Sequence, residues 1–174
     1  MLSEGLCQKI MIAMAVAKEP KLLIADEPTT ALESTTSLQV IKLLKSLNQL
    51  KDMAMIFITH NLKTITTWAD TIHVMYCGQL IESGPTYRVI NCAKHPYTKA
   101  LFDSEPDFLA EGYKQRQKLY TLKGTIPTLQ HLPIRCRLGP RCPNAQRACV
   151  VMPEQTKLKG QYFRCHYPLV EEAK

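Results

Sequence analysis

Between Pro20 and Pro28 the chain reads PKLLIADEP, a short apolar run that ends on two adjacent carboxylates, Asp26 and Glu27. LLIAD, four apolar residues and an acid bounded by prolines, is too short for a helix. It fits a strand buried on both faces, as in parallel sheets. A carboxylate drawn out of water is costly unless a cation or hydrogen-bond donors meet it. In open parallel α/β sheets, ligands gather beyond the carboxyl ends of the strands. The acid pair therefore points to a metal–phosphate site.

The neighbouring segments complete a strand–helix–strand pattern. SEGLCQKIMIAMAVAKEP predicts a helix capped by Ser3 and ended at Glu19-Pro20. From Glu33 to about Lys51, Leu38, Ile41, Leu44 and Leu47 recur at three-residue spacing, which predicts an amphipathic helix. MAMIFIT, residues 53–59, reads as a second buried strand that runs into His60-Asn61 and a helix to about Ala69. TIHVMYC and QLIESG flank Gly78 as a hairpin, and PTYRVINCA opens a short helix. Alternating strands and helices imply parallel strands joined by right-handed crossovers.

If the two buried strands are neighbours, Asp26, Glu27 and His60 converge on one crevice. Asp26 would then hold Mg²⁺ through water, Glu27 would polarise an attacking water, and His60 would contact a terminal phosphate. Taken singly, an acid pair after a strand equally fits a solvated helix start, and a histidine there fits a structural role. Their register on successive strands is what gives them weight.

Charge divides the chain. Residues 1–112 hold 10 Lys and Arg against 12 Asp and Glu, whereas residues 113–174 hold 12 against 3. That places a domain boundary near Gly112, with a basic appendage after it. The appendage suits anionic partners: lipid headgroups, nucleic acid or acidic protein. Few aromatics interleave its cations, which argues against stacking on nucleic-acid bases. Pro127, Pro133, Pro140, Pro143 and Pro153 crowd this region, so ligands rather than a large core are expected to hold it. The composition, 45% apolar and 21% charged, is that of a globular chain and not a disordered one. No apolar stretch nears the roughly 20 residues of a membrane span, and no secretory signal is visible, so a cytosolic setting is expected. Seven cysteines in a chain without a signal then argue against a disulfide framework, and the four in the basic appendage point to metal or cluster ligation.

Four motifs in order, LSEG at 2–5, LLIADEP at 22–28, ALE at 31–33 and ITH at 58–60, resemble the nucleotide-binding subunit of ATP-binding-cassette transporters. They match its signature, Walker B strand, D-loop and switch histidine. QKIMIAMA after the signature, HPYTKAL at 95–101 and the segment 124–149 resemble the di- and oligopeptide importer branch. The resemblance implies an α/β fold: a partial P-loop NTPase parallel-sheet core followed by a small, irregular, cysteine-containing extension. It implies that Leu2, Ser3, Glu4 and Gly5 face the ATP of a partner subunit, with Glu33 in the D-loop. Asp26 with Mg²⁺, Glu27 and His60 would act on ATP held by the same chain. The implied partners are a second ATPase subunit in a homo- or heterodimer, transmembrane permease subunits, and a peptide delivered by a binding protein, with no nucleic acid. The implied place is peripheral, on the cytoplasmic face of the inner membrane, and the implied role is peptide import extending to antimicrobial-peptide resistance.

Three positions depart from the family pattern: Glu4 replaces a signature glycine, Glu33 a D-loop aspartate, and Asn61 the aspartate after the switch histidine. The glycine-rich loop G-x-x-x-x-G-K-[ST] is missing altogether, since no glycine of the seven precedes Lys-Ser or Lys-Thr. Without it nothing wraps the β- and γ-phosphates. The chain is therefore expected to be a fragment, inactive alone, with a truncated non-catalytic metal-binding or interaction module as the alternative.

Cys136, Cys142, Cys149 and Cys165 lie in the basic appendage, while Cys7, Cys77 and Cys92 read as ordinary buried residues. The spacing of the four is compatible with Zn²⁺ or a [4Fe–4S] cluster. The family resemblance implies the cluster. Arg135, Arg137, Arg141 and Arg147 would then offset its negative charge, with His166 close by.

Overall fold

The computed structural model describes residues 3–104 and 121–170. Two compact units emerge, Met1–Thr64 and Ile65–Lys174. The boundary expected near Gly112 falls outside the described residues.

The first unit contains α1 (Glu4–Val16), β1 (Leu22–Asp26), α2 (Ser34–Lys51) and β2 (Ala54–Ile58). Ser3 caps α1, its hydroxyl oxygen accepting from the Leu6 N–H at 3.4 Å. Asp52 ends α2 in the left-handed conformation, φ 46°. The strands pair in parallel, from Leu22 opposite Ala54 to Asp26 opposite Ile58. Ile12 of α1 and Val40 and Leu44 of α2 pack with Leu23 and Ala25 of β1 and with Met53. Only one face of β1 is covered by that core. Leu22 and Ile24 are 47% and 60% exposed, and Ile56 and Ile58 on β2 are 48% and 46% exposed. The expectation of strands buried on both faces is thus corrected. The core of this unit closes over Leu23 and Ala25 of β1 with Met55 and Phe57 of β2, and the pleat turns the alternate residues outward. Cys7 is also exposed, not buried as expected.

The chain crosses into the second unit through α3 (Leu62–Trp68). There follow β3 (Thr71–Tyr76), β4 (Gln79–Pro85), α4 (Thr86–Asn91) and α5 (Pro96–Asp103), then short 3₁₀ turns, β5 (Thr156–Leu158) and β6 (Gln161–Phe163). The sheet is antiparallel, in the order β3-β4-β6-β5. Cys77 and Gly78, with φ 47° and 74°, make the tight turn of the expected hairpin. The architecture is therefore mixed α/β, with a parallel pair in one unit and an antiparallel sheet in the other.

The cysteine-containing tail is not the ligand-held appendage that its prolines suggest. Its strand β6 pairs with β4, Glu82 opposite Phe163 and Ser83 opposite Tyr162. Leu138 joins the core of Ile72, Val74, Tyr76, Ile81 and Val89. Gly84 permits the approach of β6, because a Cβ there would lie 2.9 Å from Gln161 Cγ and 3.2 Å from its Cα. Arg141 donates to the Tyr76 hydroxyl and to the carbonyls of Leu122 and Lys123. Arg137 donates to the Cys77 carbonyl. These two guanidiniums stitch the tail to the hairpin, which is a different use from the expected charge offset.

A buried polar cluster locks the same junction. Glu82, 1% exposed, accepts from the Lys94 N–H at 2.7 Å, the His95 N–H at 2.8 Å and Gln161 Nε2 at 3.1 Å. Gln161 also donates to the Cys92 carbonyl at 3.2 Å and accepts from Arg88 Nε at 3.3 Å. Burial raises the Glu82 carboxyl, with the two backbone N–H groups opposing the shift. His95 caps α5 by accepting from the Tyr97 N–H at its Nδ1, 3.1 Å away, a bond that requires an unprotonated Nδ1. Burial pushes its imidazole down to about 4.

Because the folded His95 resists protonation, its contribution to stability is present above the ordinary histidine value and is lost as pH falls toward 4. The loss expected over that window is about 3 kcal/mol. Glu82, whose carboxyl is raised, acts with the opposite sign. Urea unfolding of the wild type and of His95→Asn between neutral and acid pH isolates the difference. The variant should lose the histidine part of the acid sensitivity while keeping the Glu82 part.

Candidate active site

Parallel pairing brings the expected residues together at the carboxyl ends of β1 and β2. Asp26 is the last residue of β1, exposed on the same face as Leu22 and Ile24. The pairing continues one residue further, the Glu27 N–H donating to the Ile58 carbonyl at 2.9 Å. Glu27 then turns the chain in the left-handed region, φ 45°, a conformation that strains a residue with a Cβ. Ala31, φ 65°, closes the same turn.

Here the Glu27 carboxylate is held at both oxygens. Oε1 lies 2.8 Å from His60 Nδ1, and Oε2 accepts from the Thr30 hydroxyl at 2.9 Å. The bond to His60 is the main cause that holds the Glu27 carboxyl below the usual range. The residues on either side of His60 brace the turn that carries it. The Thr59 hydroxyl oxygen accepts from the Asn61 N–H at 3.0 Å, and Asn61 Oδ1 accepts from the Thr64 N–H at 3.3 Å. Asn61 thus keeps the helix-capping role that the usual aspartate would have. The pair remains open to solvent, with the His60 side chain 81% exposed and that of Glu27 36% exposed.

Thr30 is the residue that the sequence reading missed. Its only signal was a hydroxyl three positions after an acid in a turn, a pattern too common to single out.

The other expected positions lie apart from this pair. Leu2 lies outside the described residues. Ser3, Glu4 and Gly5 start α1 and make no hydrogen bond to Asp26, Glu27 or His60 among the described residues. Gly5 has a packing reason to be glycine, since a Cβ there would meet Thr36 Cγ2 at 2.4 Å. Glu33 is the exposed N-cap of α2, and its side chain makes no capping bond.

The side chains present fit one end of a magnesium nucleotide. They offer an exposed carboxylate for the cation and a histidine–carboxylate pair beside it. The donors that would wrap the β- and γ-phosphates are not supplied by these 174 residues.

The tail cysteines give a different result. Cys136, Cys142, Cys149 and Cys165 are free and half-buried. They lie near enough that the thiolates of Cys136 and Cys149 help raise the Cys142 thiol, although burial is the larger cause. Burial also pushes the Cys165 thiol up to about 11. Among the described residues no group of three or more His, Cys, Asp or Glu side chains is arranged to hold a metal ion. The expected [4Fe–4S] or Zn²⁺ site therefore has no support in the geometry. His166 has its own partner, its Nε2 lying 3.0 Å from the Val151 carbonyl.

Replacing His60 with Ala should move the Glu27 carboxyl up toward the ordinary carboxylate range, and Thr30→Val should move it less, because the histidine bond is the larger cause. Carboxyl ¹³C NMR titration of the two variants checks the order.

Two family models match the sequence, the ABC transporter model over residues 1–30 and the oligopeptide/dipeptide transporter C-terminal region over residues 81–149. The chain is 53% identical over 169 residues to the peptide transport system ATP-binding protein SapD of Haemophilus influenzae, covering 97% of this chain and 48% of that protein. It is 48% identical over 168 residues to SapD of Salmonella typhimurium, covering 97% of this chain and 51% of that one. Against the dipeptide transport ATP-binding protein DppD of Escherichia coli it is 43% identical over 172 residues, with coverage of 97% and 51%. A solved dimeric post-hydrolysis state of the ATP-binding cassette MJ0796, bound to ADP and Pi, aligns with a TM-score of 0.44 and 30% identity, covering 49% of this chain and 36% of that one. The chain spans about half the length of the curated relatives that it matches. With its motifs in family order and this likeness running nearly end to end, the chain belongs to the ATP-binding subunits of ABC transporters and corresponds to the C-terminal part of a SapD-like, di-/oligopeptide-type subunit.

Proposed function

We propose that this chain carries the hydrolytic half of an ATP site that powers peptide import. The observation that carries this reading is the Glu27–His60 pair at the carboxyl ends of the parallel strands, with Asp26 beside it. A bound magnesium nucleotide supplies the transferable phosphoryl group and the cation that neutralises its charge. Asp26 faces that cation, through water in keeping with the hydration that Mg²⁺ retains. Glu27 takes the proton of the attacking water, and Thr30 and His60 hold its carboxylate in place.

The hydrogen bond to an ionised Glu27 puts a proton on His60 Nδ1. A neutral ring then leaves Nε2 as an acceptor, unfit to bond a phosphate oxygen. His60 therefore reaches phosphate either as the imidazolium or after releasing Glu27. The resting pair is a standby arrangement that engagement of nucleotide must change.

In the assembled transporter, the α1 start with Leu2, Ser3, Glu4 and Gly5 faces the ATP of a second ATPase subunit, and Glu33 lies at the subunit junction. The permease subunits span the membrane, and this subunit sits peripherally on their cytoplasmic side. No described helix is long and apolar enough to cross a membrane. The SapD likeness supports peptide cargo, with antimicrobial peptides as the finer reading.

One observation favours a non-catalytic interaction or metal-binding module instead, the absence of a phosphate-binding loop within these residues. In that role the four tail thiols would be ligands, for an iron–sulfur cluster before zinc. Among the described residues no group of three or more ligand side chains is arranged to hold a metal ion, which counts against this reading. Absorption at about 400 nm after anaerobic purification, bleached by dithionite, would identify the cluster, and stoichiometric zinc in a colourless protein would displace it.

The 174-residue chain alone should neither bind ATP tightly nor hydrolyse it. Once a phosphate-loop half is fused in frame before Ser3, turnover should appear, and Glu27→Gln should lower kcat by about 10²- to 10⁴-fold. Turnover by the unfused chain that Glu27→Gln abolishes, or a fused protein indifferent to that substitution, would reject the reading.

A further inference from the structure

Part of the charge in the basic tail is not used by the fold. Between residues 121 and 170 the tail holds eight Lys and Arg against a single acid, Glu154. Arg137 and Arg141 are committed to the hairpin, where they bond the Cys77 carbonyl and the Tyr76 hydroxyl. Arg135 and Arg147 are exposed, and among the described residues neither makes a hydrogen bond or ion pair. Each stands beside apolar side chains that are also in water. Ile134, next to Arg135, is 97% exposed, and the turn that begins at Arg147 ends on Val150, 59% exposed. Ile134, Arg135 and Val150 line one open groove of about 580 Å³, whose walls include Leu132, Pro133 and Pro140. A single exposed apolar residue is ordinary, whereas an apolar groove rimmed by cations marks an interaction surface.

We infer that this groove and its rim dock on an anionic phospholipid surface. Ile134 and Val150 enter the boundary between headgroups and acyl chains, and Arg135 and Arg147 meet lipid phosphates. Charge complementarity is the first reason, because basic side chains close to a negative leaflet are each drawn to it while apolar neighbours insert. The chemistry of the groove is the second. Pro133 and Pro140 have no N–H, so its walls are poor in donors for the backbone of an acidic protein segment. A fluid acyl boundary needs no such donors. A second copy of this chain would set arginine against arginine across the same rim, with only Glu154 in the whole region to offset them.

The test sediments the 174-residue chain with vesicles of phosphatidylcholine and phosphatidylglycerol, at about three parts to one, and with vesicles of phosphatidylcholine alone. Affinity for the anionic vesicles should exceed that for the neutral ones by about tenfold or more. Arg135→Ala and Arg147→Ala should each weaken binding by about fivefold. Ile134→Ser should weaken it by about fivefold or more without removing charge, because the side chain no longer inserts. Val150→Ser is a second apolar variant should Ile134→Ser alter the fold by circular dichroism. Lys45→Ala, on α2 and exposed, removes the same charge elsewhere and should leave binding unchanged.

No binding to the anionic vesicles, equal binding to neutral ones, or binding that withstands both apolar substitutions would each overturn the inference. Polyglutamate bound by the chain in place of vesicles, and lost on Ile134→Ser, would assign the groove to an acidic protein and overturn it too. The inference extends the peripheral placement proposed above from contact with the permease to contact with lipid itself. Vesicles carry neither permease nor nucleotide, so failure here leaves that placement and the roles of Glu27 and His60 standing.

Discussion

Parallel pairing of β1 with β2 is the constraint on which the site depends. Asp26 and His60 are 34 positions apart in the chain, yet the alignment of Asp26 with Ile58 leaves each at the same end of the sheet. Slip by one residue would turn Leu23 and Ala25 outward and send Asp26 toward the core. The core formed with Ile12, Val40 and Leu44 therefore fixes the position of the acids as well as the stability of the unit. The left-handed turn at Glu27 then redirects one carboxylate away from the sheet and toward His60. Strain at that residue is sustained by bonds to Ile58, Thr30 and His60, so the geometry is over-determined.

In the second unit the corresponding role falls to Glu82. A carboxylate taken out of water there gathers the N–H groups of Lys94 and His95 and the amide of Gln161. It thereby ties β4, the start of α5 and the tail strand β6 into one cluster. The HPYTKAL segment, read from sequence as a family mark, has a local physical use: His95 caps α5 and Pro96 starts it. This cluster, with Arg137 and Arg141, ties the basic tail to the hairpin.

The two adjacent carboxylates, Asp26 and Glu27, differ in surroundings. Asp26 stands exposed at the rim of an apolar face, where a hydrated cation can approach. Glu27 is bonded once at each oxygen, to His60 and to Thr30, which fixes the orientation of its carboxylate. The same bond decides the tautomer of His60, so the acid, the histidine and the threonine act as one unit.

From the sequence alone, α1 to α4, the strands β1 and β2 and the hairpin about Gly78 were legible, because three-residue periodicity, Ser3 as a cap, the bracketing prolines and Gly78 are local signals. The order of LSEG, LLIADEP, ALE and ITH was enough to identify the family. The amino-acid order also held the absence of a phosphate-binding loop. Three things needed the tertiary structure. Apolar composition cannot tell a strand covered on two faces from one covered on a single face, because the difference lies in which layer is present. The tail, rich in prolines and cysteines, carries no periodicity, so its pairing with β4 through Glu82 and Gln161 was invisible until distant residues met. Thr30 became a partner of Glu27 only through a backbone turn with positive φ, which no residue type other than glycine announces.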